Sequence, residues 1–99
     1  MRVKKLTTFL DFFVGLMFKE DISPVYFETR FGIHTFFVKH PIDVIILNDT
    51  NTVIKMKVNL KPSKFFFWNP HFHKVIEAPA NFIEDNNINI GGKIKLEFI

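Results

Sequence analysis

The segment from Asp43 to Leu60, "DVIILNDTNTVIKMKVNL", constrains the fold more than any other part of the chain. Its first half is a continuous apolar run rich in β-branched residues, the composition of a strand buried on both faces. "NDTNT" follows, and Asn and Asp tolerate the backbone geometry of a tight connection. The second half alternates, with Ile54, Met56, Val58 and Leu60 on one side and Lys55, Lys57 and Asn59 toward water. These two strands form the most secure hairpin in the sequence, and they set a mainly β frame for the rest.

Further strands are expected at "VYFET", "IHTFFVK" and "HKVIEA". Another is expected at "KIKLEF", where Ile94, Leu96 and Phe98 alternate with charged residues after the Gly91-Gly92 turn. Pro24 and the Arg30–Gly32 stretch mark turns, and Pro41 ends the strand before it because it has no N–H for a ladder. "KPSKFFFWNP", bracketed by Pro62 and Pro70, reads as irregular chain or a short edge strand. A short helix is expected from Thr8 to Val14, since Leu6, Phe9, Leu10, Phe13, Leu16 and Met17 recur at spacings of three and four. Thr7 or Thr8 would cap it, Asp11 would favour its positive end, and Gly15 would stop it. Pro79 to Asn87 has room for one or two helical turns. The sum is one domain over residues 1–99: a small β-sandwich or partly open barrel of about six or seven short strands, with one or two short helices.

Several chemistries fall away on composition. The chain has no cysteine, which removes disulfides, thiolate metal sites and a thiol nucleophile, and fits a reducing cytoplasm. Fourteen phenylalanines within a 47% apolar composition make disorder untenable. Lysine outnumbers arginine, and Ile and Asn are abundant; this has the character of genome-wide drift, so a single Phe or Lys carries little functional information. The net charge of +3 is a mild excess that does not argue for a nucleic-acid partner. "MRVKK" before "LTTFLDFFVGLMF" imitates a signal peptide, but Asp11 interrupts the apolar run and no small-x-small cleavage site follows. The longest uninterrupted apolar runs, such as "VIIL" and "FFFW", fall far short of the ~20 residues that span a bilayer. The expected location is the cytoplasm.

Candidate reactive groups are few. Ser23 and Ser63 both neighbour a proline and lie outside any Gly-x-Ser-x-Gly elbow. His71 and His73 are two apart and would share a face on a strand, so with His34, His40 or Asp43 they could ligate a metal. The plainer reading is two polar residues at a strand entrance. Asp43 and Glu77 adjoin apolar strand residues, where burial raises a carboxyl pKa; a buried carboxylate at a strand end more often accepts hydrogen bonds from a nearby turn. Gly91-Gly92 has no phosphate-loop spacing and reads as a turn. "KPSKFFFWNPHFHK" interleaves Lys61, Lys64, His71, His73 and Lys74 with aromatics that could stack on bases. Phe65, Phe66, Phe67 and Trp68 are more simply core and rim.

In "HTFFVKHPID" an extended strand would put His34, Phe36 and Val38 on one face and Thr35, Phe37 and Lys39 on the other. His40 falls at a corner, and Asp43 is placed to accept backbone hydrogen bonds there.

Three motifs in order, "GLMF" at Gly15–Phe18, "HTFFVKHPIDVIILN" at His34–Asn48 and "VIEAP" at Val75–Pro79 before "IGGKIKLEF", resemble the domain of unknown function 192 family, also called uncharacterised protein family 0127. The likeness is to its compact archaeal form and runs from about Leu6 to Phe98. It implies a mainly β, sandwich-like or partly closed domain with small helices and no established activity. Some bacterial relatives carry export signals. The chain departs from the pattern at Val38, where methionine is usual, at Phe12, where arginine is common, and at Gly91-Gly92 in place of Gly-Asp. The N-terminal strand is short here, which would leave a sheet edge open.

The resulting expectation is a non-enzymatic module that binds a small molecule or a protein partner and needs no cofactor. The polar members of the matching motifs cluster around strand ends and nominate Gly15, Met17, His34, Thr35 and Asp43 as the ligand site. The rival is a metal-dependent or His/acid hydrolase using His34, His71, His73 and an acid. A third reading is an RNA-binding domain that uses Lys61 and Lys64.

Overall fold

Every residue of the run Ile42–Leu47 is buried, which demands a neighbour on each edge and a layer on each face. The computed structural model, which describes residues 1–6, 24–36 and 39–99, supplies all four. Its elements in chain order are β1 (Arg2–Lys5), β2 (Val25–Glu28), β3 (Gly32–His34), β4 (Ile42–Leu47), β5 (Val53–Leu60), β6 (Phe65–Phe67), β7 (Lys74–Pro79), α1 (Phe82–Asp85) and β8 (Glu97–Phe98). Six strands form one sheet in the order β5-β4-β7-β2-β1-β8, while β3 and β6 form a second, two-stranded sheet. The fold is mainly β and sandwich-like, with no closed barrel among the described residues.

Two apolar clusters hold the layers together. One gathers Val25, Phe27, Ile42, Val44, Ile46, Leu60 and Val75 from the large sheet against Ile33, Phe66 and Trp68 of the β3–β6 unit. The other lies on the opposite face, where Val3, Tyr26, Ile45, Leu47, Val53 and Ile76 meet Ile83 of α1 and Ile94. The alternation of β4, β7 and β2 thus feeds two cores at once, which explains why these strands are apolar on both faces.

The hairpin forms as the sequence indicates, but β5 does not alternate cleanly. Register shifts fall between Ile46 and Leu47 and between Ile42 and Val44. The first inserts Ile54 as an extra residue, so Ile54 packs against the first cluster while Met56 packs against the second. The second is a bulge at Val58 and Asn59, where Asn59 has φ 56° and Val58 is half exposed. Bulges add one residue to one strand and break its period, which residue spacing does not reveal. In the connection, the Asn48 side-chain oxygen accepts from the N–H groups of Thr50 and Thr52 and from the Thr50 hydroxyl.

Other expectations shift. β1 pairs in parallel with both β2 and β8, so the N-terminal strand is interior; the edges of the large sheet are β5 and β8. Val3 is fully buried between exposed Arg2 and Lys4. Of the expected strand "IHTFFVK", Ile33 and His34 pair within β3, Thr35 bonds to the Lys61–Lys64 loop, and Phe37 and Val38 lie outside the described residues. "KIKLEF" pairs as a strand only at Glu97–Phe98, with Lys93 making an isolated bridge to Thr52. The helix expected from Thr8 to Val14, with its cap and its glycine stop, lies outside the described residues. No described helix is long and apolar enough to cross a membrane.

Candidate functional site

Burial of a polar side chain is costly unless its hydrogen bonds are replaced, so the buried polar groups are the place to look for function. Among the described residues there are three: Thr35 at 1% exposure, Asp43 at 0% and Glu77 at 2%.

Asp43 sits on β4 opposite Ala78 and faces the second cluster. One carboxyl oxygen accepts the N–H of Asn59 at 2.9 Å and the other the N–H of Ile83 at 2.9 Å. The first bond closes the β5 bulge. The second caps α1, whose N-cap residue Asn81 makes no side-chain bond of its own. A single side chain thereby satisfies two donors that neither secondary structure can serve. Asp43 therefore accepts backbone hydrogen bonds as expected, but from β5 and α1 and not from the His40–Pro41 corner, and both oxygens are committed to the fold.

Thr35 is equally committed. Its hydroxyl donates to the Lys61 carbonyl at 2.7 Å and accepts from the Lys64 N–H at 2.9 Å. Its backbone N–H donates to the Lys64 carbonyl, and its carbonyl accepts from Ser63.

Glu77 differs. It lies on β7 between Val44 of β4 and Val25 of β2, both members of the first cluster, and so faces away from Asp43. Both of its oxygens are buried, and among the described residues neither has a hydrogen-bond partner. Burial pushes the carboxyl up from its ordinary range to about 8. With its proton held to about 8 it is an uncharged acid at neutral pH, with one O–H donor and one carbonyl acceptor. The sequence offered it as a polar interruption of "VIEAP", but spacing alone could not separate it from Asp43.

The described histidines nominated from the sequence lie elsewhere in the fold. His34 is half-buried on β3, its neighbour Ile33 pointing into the first cluster, and its ring stacks on Phe36 at 5.1 Å. Gly15 and Met17 lie outside the described residues. His71 and His73 precede β7 and are not on a strand. His71 is exposed, and His73 stands 3.7 Å from Glu28. Glu28 also accepts the Tyr26 hydroxyl at 2.9 Å; burial, reinforced by this bond and by the carboxylate charge, raises the phenol. Among the described residues, no group of three His, Cys, Asp or Glu side chains is arranged to hold a metal ion.

The class these features define is a small two-sheet β domain whose core holds a buried acid, Glu77, with no partner among the described residues. Two solved structures share the fold. One, from Sinorhizobium meliloti and provisionally described as a transcription regulator, superposes with a TM-score of 0.80 at 14% identity, over 94% of this chain and 79% of that one. The other, a protein of unknown function from Novosphingobium aromaticivorans, gives 0.75 at 17% identity, over 94% and 71%. Residues 1–96 match the DUF192 family, described as "Uncharacterized ACR", and the chain belongs to that family. It is 30% identical over 101 residues to a UPF0127 protein of Pyrococcus furiosus, covering 96% of this chain and 86% of the relative. A UPF0127 protein of Thermococcus sibiricus is 33% identical, covering 97% and 66%.

Proposed function

We propose that this domain is a non-catalytic binding module that takes its ligand on the face of the large sheet carrying Glu77. The observation that supports the reading is the Glu77 carboxyl itself: buried, raised to about 8 by that burial, and with no partner for either oxygen among the described residues. A buried polar group left open costs roughly 1–3 kcal/mol, and its retention calls for a reason, which a bound molecule completing it would supply. A neutral acid presents a donor and an acceptor side by side. Its complement is a carboxamide or a second carboxyl group on a small, mostly apolar molecule. The surrounding Val25, Val44 and Val75 suit the apolar body of such a ligand.

Thermal-shift measurements with a panel of short aliphatic amides, carboxylic acids and amines test this at pH 6 and pH 9. Stabilisation by amides or acids at pH 6, lost in Glu77→Leu and weaker at pH 9, supports the reading. No shift from any class, or the same shift in Glu77→Leu, overturns it.

A further inference from the structure

The outer face of the β3–β6 unit carries an aromatic surface that the core does not use. Ile33 and Phe66 point inward, so the alternate residues point out. Phe65 is 57% exposed, Phe67 62% and Phe36 45%. Their rings form a continuous row: His34 stacks on Phe36 at 5.1 Å, Phe36 meets Phe65 edge-on at 4.9 Å, and Phe65 and Phe67 stand nearly parallel at 5.7 Å. Gly32 lies opposite Phe67. A Cβ at Gly32 would come within 2.6 Å of the Phe67 ring and of the Phe66 carbonyl, so the bare backbone there is what lets the Phe67 ring settle.

Charge is distributed unevenly around this row. No acidic residue occurs between Glu28 and Asp43 or between Asp49 and Glu77, and these are the two segments that β3 and β6 bring together. They contain Arg30, Lys39, Lys55, Lys57, Lys61, Lys64 and Lys74, and all four histidines. Lys55 donates to the Phe67 carbonyl at 2.8 Å, and Arg30 to the Pro70 carbonyl at 2.7 Å, which fixes two of these charges to the unit. Thr35 pins the loop carrying exposed Lys61 and Lys64 next to Phe36 and Phe65. The modest whole-chain charge therefore conceals a local basic region. Glu28, the acid that precedes it, is engaged by Tyr26 and His73.

We propose that this face binds a single strand of nucleic acid, with bases stacked on Phe36, Phe65 and Phe67 and phosphates against Lys39, Lys61 and Lys64. Exposed ring faces accept any base, and cationic side chains from two acid-free segments match a phosphodiester chain. An apolar protein partner would account for the rings but not for the concentration of basic residues in the two segments that form the unit. The proposal is independent of the Glu77 site, which faces the interior.

Fluorescence anisotropy with labelled 12-residue oligouridylate and oligothymidylate, and with a duplex of the same length, tests it on the full chain. Both single strands should bind, and Phe65→Ala/Phe67→Ala should weaken binding about tenfold or more. Phe65→Tyr/Phe67→Tyr should retain it. If three phosphates are neutralised, raising salt from ~50 to ~200 mM should weaken binding about 20-fold, and Lys61→Glu/Lys64→Glu should flatten that dependence. The melting temperature of the double alanine variant, unchanged from the parent, controls for folding. Failure of both single strands to bind, equal binding by the alanine variant, or a duplex bound as tightly as a single strand overturns the proposal. So does a dimer that the alanine variant dissolves without any oligonucleotide binding, which would assign the face to a second copy.

Discussion

Asp43 and Glu77 sit on adjacent strands of one sheet, both fully enclosed, yet they are built into the molecule in opposite ways. Asp43 faces α1 and the β5 bulge, two places where regular structure leaves backbone N–H groups without partners, and its two oxygens take one each. Glu77 faces a row of valines inside a regular part of the sheet, where β7 is paired without a register shift to β2 and β4. Among the described residues nothing completes it. The difference teaches that burial alone does not mark a functional acid. The irregularity of the neighbouring backbone decides whether a buried carboxyl is structural or left open.

The largest expected effect breaks the structural member of the pair. Asp43→Ala removes acceptors from two enclosed N–H groups and should cost about 3–5 kcal/mol, enough to unfold much of a small domain. Urea denaturation at pH 7 measures it. Asp43→Asn keeps one acceptor but points an NH₂ group at the other donor, so it should fall between parent and alanine variant. Glu77→Leu should have the opposite sign, raising stability by about 1–3 kcal/mol at pH 7, because it replaces an unbonded polar group with an apolar one of similar volume. If both substitutions destabilise equally, Glu77 is satisfied in solution and the contrast fails.

A pH series sharpens the same contrast. The unfolded chain releases the Glu77 proton near the ordinary glutamate value, whereas the folded chain holds it until about 8. Between those values the folded state binds more protons. Stability contributed by this group is therefore complete at low pH and is lost as pH rises through that window, by up to about 1.4 kcal/mol per unit. Glu77→Gln should remove this fall, and Asp43→Asn should leave it in place. Chemical denaturation at pH 5, 6.5 and 8 gives both slopes; a flat profile for the parent would mean that the carboxyl reaches solvent or a charged partner.

How much of this was legible in the sequence depends on the range of the interactions involved. The hairpin at Ile42–Leu60, the strands at Val25–Glu28 and Lys74–Pro79 and the helical turn at Phe82–Asp85 are fixed by local pattern, and residue spacing finds them. The mainly β class followed from the same segments, and the family from the resemblance of the motifs at Gly15–Phe18, His34–Asn48 and Val75–Pro79. The bulges at Ile54 and Asn59 are decided by cross-strand pairing and so leave no local signal. The parallel pairing of Arg2–Lys5 joins the two ends of the chain, and its single buried Val3 is hidden among exposed basic residues. The site was less legible still. Asp43 and Glu77 have the same surroundings in sequence, an acid within an apolar strand, and only the tertiary position of Asn59 and Ile83 separates them. Likewise, parity says that Phe66 and Phe67 point opposite ways, but not which one the core receives.

Thr35 provides the smallest test, and it separates two explanations of the contrast. It is buried at the end of β3, in the unit that covers the cluster containing Val25 and Val44, so it belongs to the Glu77 side of the large sheet. If the side of the sheet determined whether a polar group is open, Thr35 would resemble Glu77, and removing its hydroxyl would be neutral or stabilising. If irregular backbone determines it, Thr35 must resemble Asp43, because its hydroxyl bonds both the Lys61 carbonyl and the Lys64 N–H of a loop. Thr35→Val preserves shape while deleting both bonds, so a loss of about 1–2 kcal/mol is expected, with Thr35→Ser retaining most of the stability. Hydrogen exchange at the Lys64 amide should accelerate in the valine variant alone, since that amide loses its acceptor. An unchanged Lys64 exchange rate together with parental stability would show that the loop holds without the hydroxyl, and the rule drawn from Asp43 would not extend beyond it.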